Sequence, residues 1–232
     1  MVGAALAVVA SLALAGSALA AGFTNGGFAG TSVASGGTYQ DGGSGFMPSV
    51  SGTTIPGWTI SGAVDWIGTY WQSEDGDGYS IDMNASPTAG TLTQTFDTVV
   101  NATYAVQFWL SGNPMCGAGD KTLTVSSGAT SQDFTFTVPT SWAYNKGAMT
   151  WASEMFSFVA TSTSATLSFA STTTGNCGPA LDNVSMTAVA ATGAQCKDGG
   201  WKTMYDENGA LFKNQGDCVS FYATSGAVPI GS

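Results

Sequence analysis

The residues Tyr70, Trp71 and Gln72 form the part of the sequence best suited to binding a polar ligand with apolar faces. Aromatic rings pack against the apolar faces of sugar rings, and amides and carboxylates bind hydroxyl groups. Asp75 follows closely and supplies a carboxylate. These four residues are expected at the margin of a sheet. The alternative is that Tyr70 and Trp71 pack in a core, as we expect for Trp58 and Trp66.

A second candidate surface lies in the segment "ATYAVQFWLS" at 102–111. Its apolar residues alternate, which predicts a β-strand with one buried face. Gln107 and Trp109 fall on the opposite face, so alternation directs both outward, where a tryptophan suits a ligand contact. The alternative is that a loop or the C-terminal segment buries Trp109.

The carboxylates do not form a recognisable catalytic or calcium motif. Glu74, Asp75 and Asp77 lack the ligand order of an EF-hand loop and its terminal glutamate. Glycosidases use a pair of carboxylates, and the sequence offers Asp65, Asp75, Asp82 and Glu154. Nothing in the sequence distinguishes one of these as the acid. We therefore expect no enzymatic activity.

Composition excludes several classes of function. The chain of 232 residues has no histidine and a formal net charge of −10. A Ser-His-Asp triad and a histidine-ligated metal site are therefore impossible. The acidic balance also argues against nucleic acid and anionic membranes as partners, because both attract basic surfaces.

The first twenty residues resemble a signal for export. An apolar run at 2–21 contains Ala18-Leu19-Ala20, a small-x-small pattern typical of signal-peptide cleavage. We predict a signal peptide at 1–20 and a secreted protein with no membrane contact after cleavage. An uncleaved membrane anchor is the alternative, since about 20 apolar residues can span a bilayer.

The cysteines are expected to form two disulfide bonds, the default in an oxidising compartment. Cys116 and Cys177 both lie in loops with glycine, asparagine and proline, whereas Cys196 and Cys218 bracket a lysine-rich tail. These contexts predict the bridges 116–177 and 196–218.

The pattern of the body predicts an all-β fold. Period-two segments separated by turn residues continue to about residue 188, which is typical of an antiparallel β-sandwich or jelly roll. The predicted organisation is a jelly-roll domain at 21–188, a linker at 189–195 and a C-terminal module at 196–232. Turn signals at 198–200 and 208–209 predict that this module is a small disulfide-stapled β-hairpin.

Several motifs carry a resemblance to a known family. In order they are "NGGF" (25–28), "IPGWTISGAVDWIGTYWQ" (55–72), "DGYSIDMN" (77–84), "YAVQFWLSGNP" (104–114) and "GPALDNVSM" (178–186). They resemble the choice-of-anchor C family and, more remotely, plant cell-wall proteins built from the same module. The resemblance implies a galactose-binding-like jelly roll and supports the 116–177 bridge.

The same resemblance implies a role without catalysis at a cell wall or matrix, with polysaccharide as the partner and no required cofactor. Related sugar-binding modules hold a structural calcium ion, which would nominate Asn25 and Asp182 as ligands here. Ala29 replaces a glutamate usual in the family and removes one expected ligand. We expect a monomer. The alternative function is a structural or adhesive surface protein that binds protein partners.

Overall fold

The computed structural model describes residues 22–30, 45–86, 88–189, 191–206 and 208–224, so the predicted signal peptide at 1–20 lies outside the described residues. The strands are β1 (Phe46–Gly52), β2 (Thr59–Ile67), β3 (Ser80–Asp82), β4 (Thr91–Asp97), β5 (Thr103–Gly112), β6 (Gly119–Ser127), β7 (Thr130–Val138), β8 (Ala152–Val159), β9 (Ser164–Ser171) and β10 (Pro179–Val189). Short 3-10 helices occupy Pro114–Cys116, Thr140–Trp142, Lys146–Ala148 and Lys197–Thr203, and one α-helix, α1, occupies Gln215–Thr224.

The strands form an antiparallel β-sandwich of the jelly-roll kind, as the sequence predicts. Their order is β7-β6-β9-β4-β2-β3-β10-β5-β8, with β1 paired to β2. Strand β2 belongs to both layers, because residues 59–61 pair with β4 and residues 65–67 pair with β3. Gly62 lies between these two pairings with a φ of +73°, and a Cβ atom there would lie 2.4 Å from the Ala89 carbonyl oxygen. The change of layer therefore requires glycine at this position.

The core lies between the two layers. All four apolar residues of the β5 pattern are buried, as predicted: Tyr104, Val106, Phe108 and Leu110. The Phe108 ring lies 5.0 Å from the ring of Phe134 in β7 and 5.3 Å from the ring of Phe169 in β9. These edge-to-face contacts join β5 to the opposite layer, and aromatic pairs of this kind each add about 0.5–1.5 kcal/mol beyond burial.

Two tryptophans attach the N-terminal segment to this core. Trp58 and Trp66 are fully buried, in agreement with the sequence prediction. The Trp58 indole donates a hydrogen bond of 2.9 Å to the Asn25 carbonyl oxygen, and the Trp66 indole donates one of 2.9 Å to the Phe28 carbonyl oxygen. Both rings are structural, and neither is available to a ligand.

The structure contains both predicted disulfide bonds, Cys116–Cys177 and Cys196–Cys218. The first joins the loop after β5 to the loop before β10. The second lies in the C-terminal segment, where both of its cysteines are fully buried.

The predicted C-terminal β-hairpin is wrong. In its described residues, 196–206 and 208–224, the segment has one isolated β-bridge, between Tyr205 and Leu211, together with the 3-10 helix Lys197–Thr203 and α1. Residues 198–199 adopt positive φ angles and form a kink within helical turns. Downstream, Asn214 acts as a helix cap, since its side-chain oxygen accepts a hydrogen bond of 2.9 Å from the Asp217 amide. We call residues 191–224 the tail.

Asn101 attaches the tail to the body. Its side-chain amide donates to the Tyr205 carbonyl oxygen (2.7 Å) and to the Tyr222 hydroxyl group, and its side-chain oxygen accepts from the Tyr205 amide (3.0 Å). Asn101 is 3 % exposed, so these bonds are shielded from water. Its φ of +66° is one that asparagine tolerates better than most residues.

We expect Asn101→Ala to lower the free energy of unfolding by about 2–3 kcal/mol, because buried tail groups lose their partners and alanine resists a positive φ. Hydrogen exchange measures the effect and should show faster exchange at Tyr205 and in α1 than in β5. Asn208→Ala, in an exposed turn, is the matched control. Unchanged protection of the tail in Asn101→Ala would show that the tail is held by other contacts.

Candidate functional site

The outer surface of β10, β5 and β8 is open to solvent, with alternate residues exposed in β8 and β10 and exposed or half-buried in β5. In the register of these strands, Trp109 lies between Asp182 and Ser153, and Gln107 lies between Ser185 and Met155. Directly paired residues of antiparallel strands point to the same side of a sheet. We call this surface the sheet face. Its members are Thr103, Ala105, Gln107, Trp109, Ser153, Met155, Ser157, Val159, Asp182, Ser185 and Thr187.

The sheet face combines hydroxyl, amide and apolar groups. Gln107 is exposed and its amide donates a hydrogen bond of 2.9 Å to the Ser153 hydroxyl oxygen. Trp109 is half-buried, and Met155 is 61 % exposed. The outward direction predicted for Gln107 and Trp109 is therefore the direction that the structure shows. Asp182 is the one carboxylate in this set, and it is fully buried.

Asp182 fixes the neighbouring loop at 68–79. One carboxylate oxygen accepts a hydrogen bond of 2.7 Å from the Glu74 amide, and the other accepts one of 2.7 Å from the Asn183 amide. The Asn183 side chain in turn donates to the Glu74 carboxylate at 3.2 Å. Burial, and secondarily the charges of Asp75 and Asp77, raise the pKa of Asp182 to about 7.

A cleft of about 680 Å³ lies beside this loop. Tyr70, Trp71 and Gln72 line it together, as predicted, but Asp75 does not. Asp75 is exposed and its side chain accepts a hydrogen bond from the Asp77 amide within the loop. Gln107 and Trp109 also lie outside this lining, so the two predicted groups of residues occupy two different surfaces.

The loop cleft offers no open aromatic ring face. Trp71 is only 5 % exposed, packs with Ile67 and Ala180, and donates from its indole to the Ser80 hydroxyl oxygen at 2.8 Å. The Lys146 ammonium group lies 3.6 Å from the centre of the Tyr70 ring and covers it. The prediction of an exposed Trp71 is therefore wrong, because the loops at 68–79 and 139–151 close over the sheet at this point.

Asp82 is a buried polar residue whose role the sequence did not show. One of its carboxylate oxygens accepts from the Asn84 amide (3.1 Å) and the Gly178 amide (2.9 Å), and the other accepts from the Asn113 side chain (2.6 Å). These bonds tie β3 to both loops of the Cys116–Cys177 bridge. Burial raises the pKa of Asp82 to about 7. The hydrogen bond between Asp82 and Asn113 joins residues 31 positions apart, so no local sequence pattern predicts it.

The two residues nominated for calcium already bond within the chain. The Asn25 side chain donates to the Ala29 carbonyl oxygen (3.0 Å) and the Pro56 carbonyl oxygen (2.7 Å), and both Asp182 oxygens accept backbone amides. A calcium ion binds oxygen atoms, so it would compete with the amides that Asp182 accepts, whereas Asn25 uses its side-chain nitrogen in both of its bonds. Among the described residues, no group of three or more His, Cys, Asp or Glu residues is arranged to hold a metal ion. The calcium site stays a prediction.

The fold is a β-sandwich, and the sheet face is a partly exposed, largely uncharged surface on the layer of β10, β5 and β8. A family model described as "Protein of unknown function (DUF642)" matches residues 25–187, and the chain belongs to this family. The match ends at residue 187, so it does not include the tail. Curated proteins include no match to this chain.

Solved structures with a similar fold include carbohydrate-binding modules. A family 35 carbohydrate-binding module from Clostridium thermocellum has 17 % identity and a TM-score of 0.40, over 57 % of this chain and 93 % of the module. A CBM4 structure has 14 % identity and a TM-score of 0.40, over 72 % of this chain and 99 % of the other. A CBM35 from Paenibacillus barcinonensis has 22 % identity and a TM-score of 0.36, over 59 % of this chain and 94 % of the other.

Proposed function

We propose that the protein is a polysaccharide-binding module without catalytic activity, and that the sheet face is its binding surface. The observation that carries this proposal is the placement of Trp109 and Gln107 on an open surface whose one carboxylate is buried. A neutral sugar presents hydroxyl groups and apolar ring faces, so it is matched by amides, hydroxyl groups and a partly exposed indole. The uncharged character of this surface contrasts with the chain as a whole, which is strongly acidic with a net charge of −10.

The carboxylates support a role without catalysis. Asp82, with its raised pKa, lies beneath loops and is absent from the lining of the loop cleft. Asp65 accepts a hydrogen bond from the Ser49 amide, and Glu154 lies on β8 opposite Phe108. A glycosidase needs two carboxyl groups facing one sugar linkage. The described arrangement supplies no such pair on the sheet face, so binding alone is proposed.

We propose a secreted location, at a cell wall or matrix. Two disulfide bonds support it, because such bonds persist in oxidising compartments. In the part of the chain that the structure describes, no helix is long and apolar enough to cross a membrane. The same proposal includes a polysaccharide partner, a monomeric state and membership of the choice-of-anchor C family. It also includes a jelly-roll domain that ends at residue 188 and a C-terminal module that begins at residue 196.

The experiment is a glycan array followed by titration calorimetry with the best ligand. We expect a dissociation constant in the high micromolar range, which corresponds to a binding free energy of about −5 to −6 kcal/mol. Trp109→Ala should weaken binding by about fivefold, since ring stacking contributes about 1 kcal/mol. Gln107→Ala should weaken binding less, because hydrogen bonds to sugars largely replace hydrogen bonds to water.

Trp142→Ala is the matched control. Trp142 is also half-buried, but it stacks on Phe136 away from the sheet face. The Trp142→Ala variant should bind the glycan with the affinity of the parent protein. If both sheet-face variants stay folded and bind as well as the parent, the site is wrong. If the array shows no glycan binding at all, the alternative of an adhesive protein is favoured.

A further inference from the structure

A second cleft lies where the tail meets the sheet face. Its volume is about 570 Å³, and none of the residues that line it is Asp, Glu or Lys. The body contributes hydroxyl and apolar groups, and the tail contributes an amide, a hydroxyl group and a phenol. The lining includes Thr103, Ser157 and Val159 from the body and Gln195, Thr203 and Tyr205 from the tail.

This junction cleft is continuous with the sheet face. Thr103 pairs with Val159, two positions along β5 from the pair of Ala105 and Ser157. Gln107 and Trp109 follow on the same side of the same strand. Val159 is 51 % exposed, and Ser157 is exposed. A ligand lying along β5 can therefore pass from Trp109 into the cleft without leaving the surface.

The tail forms a fixed wall of this cleft. Tyr205, which lines it, is held through its backbone by Asn101. The Cys196–Cys218 bridge joins the turn beside Gln195 to α1. Because the wall is held on two sides, the groups it presents are positioned before a ligand arrives, which reduces the entropy lost on binding.

We propose that the ligand is a linear, uncharged polysaccharide that lies along β5 from Trp109 into the junction cleft, with the tail as part of the binding site. This inference rests on the proposed function and names the class of its ligand. Seven residues of an extended strand span about 20 Å, which is the length of about four sugar residues in an extended chain. A polymer of uronic acids is disfavoured, because the chain is strongly acidic and the members of the sheet face and the lining of the cleft include no lysine.

The test uses titration calorimetry with cello-, xylo- and galacto-oligosaccharides, from disaccharide to octasaccharide, and with oligogalacturonides as the anionic comparison. For the series that binds, affinity should rise up to about four or five units and then level off, because longer chains extend beyond the 20 Å surface. Oligogalacturonides of equal length should bind more weakly, and the difference should shrink at high salt.

Two variants test the end of the site that lies next to the tail. Ser157→Trp places a large side chain at an exposed position in the cleft, and Tyr205→Ala removes a ring from its wall while leaving the backbone bonds to Asn101. Each should weaken hexasaccharide binding by about tenfold and leave disaccharide binding within about twofold, since a short ligand can remain at Trp109. Thr135→Trp, at an exposed position of β7, is the matched control.

The outcomes separate this inference from the proposed function. If Trp109→Ala weakens binding but chain length and the two cleft variants have no effect, the extended site is wrong and the proposed function stands. If no oligosaccharide binds and Ser157→Trp instead abolishes self-association in sedimentation, the face joins copies of this chain and both proposals fail. Tighter binding of oligogalacturonides would overturn the uncharged ligand.

Discussion

Trp71→Ala lowers the free energy of unfolding by about 3–5 kcal/mol, the usual cost of removing a buried tryptophan. The Trp71 side chain is 5 % exposed and packs with Ile67 and Ala180. Its ring nitrogen donates to the Ser80 hydroxyl oxygen, which would lose this partner in the variant. The cavity would also weaken the packing of the loop at 68–79 against the sheet.

Thermal and urea unfolding measure this effect. For a domain of this size, 3–5 kcal/mol corresponds to a fall in the melting temperature of about 10 °C. Trp109→Ala is the informative control, because this half-buried ring leaves a smaller cavity and should cost far less stability. Trp71→Phe should lie between them, since it retains most of the apolar volume. A melting temperature within a degree or two of the parent would show that Trp71 is open to solvent.

The contrast between Trp71 and Trp109 shows which features the sequence could predict. Trp109 lies in a strand whose alternation is local, so its direction follows from residues on either side of it. Trp71 lies in a loop with no period. Its burial depends on a distant loop, where the Trp151 indole donates to the carbonyl oxygen of Gln72, 79 residues earlier. No local pattern encodes that contact.

The tail also combines a feature that the sequence predicts with one that it does not. The pairing of Cys196 with Cys218 could be predicted, because the two residues bracket a segment of distinct composition. The secondary structure between them could not, since the turn signal at 198–200 is equally compatible with a hairpin and with kinked helical turns. Asn214 followed by Asp217 was an available helix-start signal.

The hydrogen bonds of the two buried carboxylates are a feature that the sequence does not predict. Asp82 was one of several candidate acids, and Asp182 was a candidate calcium ligand. In the structure both accept hydrogen bonds from distant backbone amides, Asp82 from Gly178 and Asp182 from Glu74. These contacts span 96 and 108 residues, so they appear only once the chain has folded.

We expect these two carboxyl groups to make the protein more stable in mild acid than at neutral pH. Burial raises the pKa of Asp82 and of Asp182 from the ordinary 3.8 to about 7. Between these two values the folded chain binds protons that the unfolded chain has released. Stability is therefore fully present below pH 4 and is lost as the pH rises toward 7, by up to about 4 kcal/mol for each group.

Melting temperatures measured from pH 4 to pH 8 at constant ionic strength should fall as the pH rises, mostly between pH 5 and pH 7. Asp82→Asn and Asp182→Asn should each flatten this slope, because each removes one titrating group, whatever its effect on the melting temperature itself. Asp97→Asn, at an exposed position, should retain the parental slope. A melting temperature that is constant or rises with pH would show that both carboxylates are ionised in the folded state. In that case the amide hydrogen bonds, rather than burial, set their pKa values.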